Sequence, residues 1–302
     1  MLKECLLPAA CALLLAAPGL AEPLDLATVA PDSKWLIHLD LDELRKTKVG
    51  THFLKNFVEP KIKYSEKMQK MNFSISTENI SSISAYGPAF EKDGDGVMLI
   101  RTTADVKKDL DTLAGLSSLS GGQIFSLTHL KPFPLYSFKS NLFVANIENT
   151  LVVAKSKEQI ENARQLLLGK SDSLAQSQSF AGYPETSNTF FFLGMAEGFN
   201  ENANIPPQAQ VLKEARGGRL AMGENGDHLF VNLVFKGKSE ESALKIQQVF
   251  QGIVALVSLS QENKDLTELA QAARIASEDN NVTINLQFPV QKAIQRLDQE
   301  ID

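Results

Sequence analysis

The sequence predicts an α+β fold: an internally duplicated β-α-β-β-α-β-β-α unit, its sheet largely antiparallel and its helices packed on one face. Three observations carry this expectation. Residues 81–115 and 216–252 both read as strand, polar turn, strand, helix, at nearly the same lengths. Their turns, Asp93-Gly94-Asp95-Gly96 and Glu224-Asn225-Gly226-Asp227, occupy matching places and hold residues that tolerate positive φ. Each half then closes alike, residues 142–169 and 274–299 both reading as a hairpin that runs into a helix.

The elements follow in order. Lys3 precedes an apolar run from Leu6 to Ala17, and Gly19 and Ala21 set small residues at the −3 and −1 positions of a cleavage site. This is the pattern of a secretory signal peptide over residues 1–21, although Glu4 weakens its positive start. The run is shorter than the roughly 20 apolar residues that span a bilayer. The division expected is therefore a leader at 1–21, a first α+β half at 22–170 and a second at 171–302. Both cysteines, Cys5 and Cys11, fall in the leader. A mature chain without cysteine forms no disulfide, thiolate metal site or thiol nucleophile, so its core must hold it together.

Each half opens on a strand, "WLIHLDL" from Trp35 and "TFFFLGMAE" from Thr189. In the first, Trp35, Ile37 and Leu39 face one way while Leu36, His38 and Asp40 face the other. Asp40 followed by Glu43 reads as an acidic N-cap and N3 pair, so a helix is expected to begin there. Glu148-Asn149 and Asp279-Asn280-Asn281 are the expected turns of the closing hairpins. Gly169 reads as a helix C-cap. Pro289 suits the start of the last helix, whose Val290, Ala293, Ile294, Leu297 and Ile301 recur along one face. The helix after Ser239 begins with Glu240 and Glu241, which favour its positive end, then turns apolar through Val249, Phe250, Ile253, Val254, Leu256 and Val257. It reads as a buried helix, or else as the wall of an apolar pocket shared with Phe190, Phe191 and Phe192.

The densest chemistry is His38 beside Asp40, two groups that could ligate a metal from one strand face. A site needs at least a third ligand, and the sequence supplies no clear one, so a polar strand entering a capped helix is the expectation. Other motifs are incomplete. Gly169-Lys170-Ser171 lacks the first glycine of a phosphate loop, where Arg164 stands. Ser242-Ala243-Leu244-Lys245 has the S-x-x-K spacing of penicillin-recognising enzymes without their partner motifs. Asp93-Gly94-Asp95-Gly96 lacks the later acidic ligands of a calcium loop. His52, His129 and His228 stand isolated. No cofactor is expected.

The net charge of −6 argues against nucleic-acid binding. Against it, residues 45–70 carry eight basic and two acidic groups, a net +6. On a helix, Lys63, Lys67 and Lys70 would form one stripe, a candidate docking surface for an anionic protein or envelope partner.

The stretch "HLDLDELRKTKVGTHFL", the leader and the doubled hairpin–helix plan resemble an uncharacterised family of exported bacterial proteins whose early strand carries a D-L-D-x-L motif. The resemblance implies a fold and an export route, and no activity. The expectation is a non-catalytic protein, periplasmic or extracellular, with no transmembrane segment after the leader, acting by binding. Two alternatives are a carrier of an apolar ligand and a metal-dependent hydrolase built on His38 and Asp40.

Overall fold

The structure, a computed structural model, describes residues 24–60, 76–90, 96–119, 125–130, 133–139, 141–183, 189–198, 207–259 and 264–301. The expected leader, Lys63, Lys67, Lys70 and the Asp93–Asp95 part of the first turn lie outside the described residues.

The strands are β1 (Trp35–Asp40), β2 (Ile80–Gly87), β3 (Val97–Thr102), β4 (Phe125–Leu130), β5 (Phe133–Phe138) and β6 (Leu142–Ile147). They continue with β7 (Thr150–Ala154), β8 (Phe192–Glu197), β9 (Ala215–Asn225), β10 (His228–Gly237), β11 (Arg274–Glu278) and β12 (Asn281–Pro289). All belong to one antiparallel sheet in the order β11-β12-β10-β9-β8-β1-β2-β3-β7-β6-β5-β4. Seven α-helices are described: α1 (Leu41–Lys46), α2 (Lys48–Phe53), α3 (Lys107–Leu119), α4 (Lys157–Leu167), α5 (Glu240–Leu259), α6 (Lys264–Ala272) and α7 (Val290–Ile301). The α+β class and the antiparallel sheet are as expected.

The sheet crosses the junction between the halves without a break, because β1 pairs with β8, Leu36 opposite Met195. Moving outward from that seam, β1-β2-β3-β7-β6 and β8-β9-β10-β12-β11 run in the same order. This shared order does not by itself establish the expected duplication, and the likeness is incomplete. The first half adds the hairpin β4–β5 at its outer edge. Between β8 and β9 the described chain holds only a 3₁₀ stretch, Pro207–Glu214, where the second half was expected to place a helix.

Turn chemistry explains the hairpins. Glu148 and Asn149 both take positive φ, 47° and 62°, joining β6 to β7. Gly226 at φ 61° turns β9 into β10, and Asp279 at 49° turns β11 into β12. α4 is bracketed as its sequence suggests. Ser156 and Gln159 form a capping box at its start. At its end Gly169 takes φ 64°, its N–H donating to the Leu166 carbonyl and that of Lys170 to Gln165.

Alternation along the strands assigns each helix to a face. Ile83, Ile100, Leu151 and Val231 look toward one face, and α1, α2, α3, α5 and α7 pack there. α4 is the exception to helices on one face. Its Ile160, Ala163 and Leu166 pack on Val152 and Ala154, whose side chains point opposite to Leu151. Ile160, Leu36, Leu135 and Val152 are all wholly buried there, so the first half is covered on both faces. This puts α4 and α7, each of which follows a hairpin, on opposite sides of the sheet.

The expectation of a buried α5 is corrected. Ser239 Oγ accepts from the Ser242 N–H at 3.2 Å, and Ala243 and Ile246 are wholly buried against the sheet. Phe250 stacks on Phe235, ring centroids 5.2 Å apart. Beyond these first turns Val254 and Val257 are half-buried and the other large apolar side chains are exposed, Ile253 to 43%, Leu256 to 72% and Leu259 to 80%. Full burial is confined to the turns that lie over the sheet, and apolar residues that run on past Phe250 give no sequence sign of where that cover stops. Among the described residues α5 is the one helix long and apolar enough to cross a membrane by length and composition, although Ala243 and Ile246 would have to leave the sheet for it to do so.

Candidate functional site: an apolar cavity

The site is assembled from the end of β1 onward. Asp40 caps α1, its Oδ1 accepting from the Glu43 N–H at 2.8 Å. The reciprocal half of the expected cap is absent, since the Asp40 N–H donates to the Phe191 carbonyl at 2.8 Å and Glu43 pairs with Lys46 at 2.7 Å. α1 is two turns long, and Thr47 both ends it and caps α2, its Oγ1 accepting from the Gly50 N–H at 2.9 Å. The elbow is tight: a Cβ on Gly50 would stand 2.0 Å from the Leu44 carbonyl oxygen, so only glycine fits. Glu224 on β9 holds the start of α2 in place, accepting from the Lys48 and Val49 N–H groups at 3.0 Å each.

This elbow hangs Leu44, Val49 and Phe53 over the sheet rather than on it. Beneath them lie Leu39 of β1, Phe192 of β8, Met222 of β9, Val231 of β10 and Leu286 of β12. The opposite wall is α7, where Ala293, Arg296 and Leu297 share one face by their spacing. The space between is a cavity of about 530 Å³, within the range of small-molecule sites. Of its sixteen lining residues Arg296 alone is charged and the rest are apolar.

A polar clasp joins the two walls. His52 on α2 meets Asp298 on α7, Nε2 to Oδ1 at 2.7 Å, and Asn56 Nδ2 donates to His52 Nδ1 at 3.0 Å. Because Nδ1 accepts, the proton sits on Nε2 and is given to the carboxylate. His52, isolated in the sequence, therefore ties the helices that border the cavity.

His38 and Asp40 do share a strand face, as expected, but with separate tasks on the far side of the sheet. His38 is 3% exposed, its Nδ1 bonded to Ser84 Oγ at 2.8 Å. Burial, aided by the positive charge of Arg101, lowers its pKa to about 4. Burial raises the pKa of Asp40. The polar space beside His38, bordered by Ser82, Ser84, Arg101 and Thr150, is only about 20 Å³. Among the described residues no group of three His, Cys, Asp or Glu side chains could hold a metal ion. Ser242 of the S-x-x-K spacing is 6% exposed and donates to Glu214 Oε2 at 3.0 Å, while Lys245 pairs with Glu241 at 2.8 Å.

The expected apolar pocket is thus half right. Phe191 and Phe192 line it, but its helical wall is α7 with α1 and α2, not the Val249–Val257 part of α5. The stripe on α7 was legible, and Arg296 at its flank was the signal left unread.

No family model matches the chain, and no curated protein matches it. Solved structures do. The chain is similar in fold to TP0453. Against crystal form IV of TP0453 the identity is 10% and the TM-score 0.49, with 92% of this chain and 97% of that one covered. Crystal form III gives 9% and 0.48, covering 91% and 98%, and form I gives 8% and 0.46, covering 91% and 96%.

Proposed function

We propose that this is an exported, non-catalytic binding protein that holds a single apolar chain between its sheet and the α1–α2 elbow. One observation carries the reading: a cavity of about 530 Å³ whose lining is apolar at fifteen of sixteen positions. The space is partly open to solvent, so its apolar lining faces water that a ligand would displace. An apolar ligand would fill the space and gain roughly 25 cal/mol for each Å² of surface it removes from water. The leader pattern at residues 1–21 supports export, and the absence of cysteine after Cys11 suits a binder held together by its core. Lys63, Lys67 and Lys70 lie outside the described residues, so the reading of a basic docking surface gains no geometry, and the cavity is the better supported site.

The test is binding of N-phenyl-1-naphthylamine, a neutral apolar probe that fluoresces when it leaves water. Wild-type protein should bind it saturably. Val231→Trp and Leu286→Trp, which fill the cavity from its floor, should each weaken binding at least about tenfold, with circular dichroism reporting whether each variant is folded. Binding unchanged in a folded variant would refute the reading.

A further inference from the structure

The fastenings of α2 point to movement. Resting on the cavity reading above, we infer that α2 is a lid: it swings on a joint at each end, and the His52–Asp298 clasp holds it shut. The first joint is Thr47, the one residue between α1 and α2, whose φ of −90° and ψ of 152° are extended rather than helical. The second follows Phe53, where the chain opens into a π-helical stretch, Leu54–Val58, and the Glu59 N–H reaches back five residues to the Leu54 carbonyl. Such stretches interrupt the regular α-helical ladder and recur at functional sites. Between the joints lie the six residues of α2, Lys48–Phe53, short enough to turn as one rigid piece.

The two arms of the elbow are held differently. α1 is fixed to the sheet, with Leu41 and Leu44 buried and the Arg45 guanidinium donating to the Ile80 carbonyl at 2.7 Å. α2 is fastened at its rim, Lys48 to Asp227 and His52 to Asp298. Both bonds reach solvent, and such pairs hold weakly because water screens them. Beneath α2, Val49 and Phe53 face the cavity, so lifting the helix separates fewer packed groups than it would over a filled core. Phe53 lines the space and is also 36% exposed, which sets the mouth beside α2. An apolar chain entering there passes under a segment with a joint at each end. Asp298 does not line the cavity, so the clasp can be broken without removing a lining side chain.

The experiment follows N-phenyl-1-naphthylamine by stopped-flow fluorescence, entering the full chain on mixing and leaving it on dilution. Asp298→Ala, which breaks the clasp, should speed entry and exit together by about threefold, the change that loss of one exposed pair supplies. Lys107→Ala, which breaks an exposed pair with Asp111 on α3, should leave both rates at wild-type values. Asp298→His sets a second imidazole against His52, and zinc bridging the two should hold the lid shut. With zinc at about ten times its Kd, found by calorimetry, entry should slow about tenfold in this variant and not in wild type. Suppose wild-type protein binds the probe, but Asp298→Ala keeps both rates or speeds exit alone, or zinc bound to Asp298→His leaves entry unchanged. The lid is then overturned and the cavity reading stands. If wild-type protein does not bind the probe, both are overturned.

Discussion

At the scale of single residues, His38 shows how a suggestive group becomes a structural one. It is buried, bonded to Ser84, and its pKa lies near 4 rather than 6.5. The folded protein therefore refuses a proton that the unfolded chain accepts, so folding stability is full above about pH 6.5 and falls as pH drops toward 4. Asp40 works in the opposite sense, because its raised pKa favours the folded state as pH falls toward the ordinary carboxylate range. The contribution of His38 is isolated by comparison with His38→Leu. From pH 7 to pH 5 the urea midpoint of wild type should fall more steeply than that of the variant. Parallel curves would mean that the ring stays hydrated. The alternation that sets His38 and Asp40 on one face was legible from period-two patterning alone. That Asp40 would give its N–H to Phe191 was not, because the partner strand lies some 150 residues away and only pairing brings it close.

At the scale of elements, signals confined to a few neighbouring residues were the readable ones. Gly169 ends α4, Glu148-Asn149 turns a hairpin, and the acidic cap starts α1, each acting through groups within five residues of it. Which face a helix covers is decided by distant strands, and there the sequence misleads. α4 and α7 each follow a hairpin that reads alike in the sequence, yet they lie on opposite faces. α5 reads as a core helix, and only Ser242, Ala243 and Ile246 of it are buried. The exposure gives an expected contrast. Leu256→Glu and Leu259→Glu should each change unfolding free energy by no more than about 0.5 kcal/mol, as exposed substitutions do. Ile246→Ala should cost about 2–5 kcal/mol, as large-to-small changes in cores do. Urea denaturation of the three variants checks this, and a large loss at Leu256 would return α5 to the core.

At the scale of the whole molecule, the two half-sheets meet at β1 and β8 to make twelve continuous strands. Hairpins account for much of the pairing, but the seam joins Trp35 to Ala196. Contacts so far apart in the chain form slowly, since the intervening chain must lose freedom before the contact can stabilise it. Trp35, the one tryptophan, lies in that seam, its Nε1–H donating to the Ala89 carbonyl at 2.7 Å. In stopped-flow refolding the Trp35 fluorescence change should therefore lag behind the far-ultraviolet circular dichroism signal, which follows the local helices and hairpins. One shared exponential for both probes would show that the seam and the hairpins form together.

The seam also has a consequence during synthesis. Ribosomes add about 5–20 residues per second, so β1 emerges roughly 8–30 s before its partner strand exists. Through that interval one edge of β1, with its row of N–H and C=O groups, has only water or another nascent chain to bond. An open strand edge is a template for pairing between molecules. Neighbouring chains on one messenger would present the same edge at the same stage, which makes premature self-association a matter of translation timing as well as of sequence.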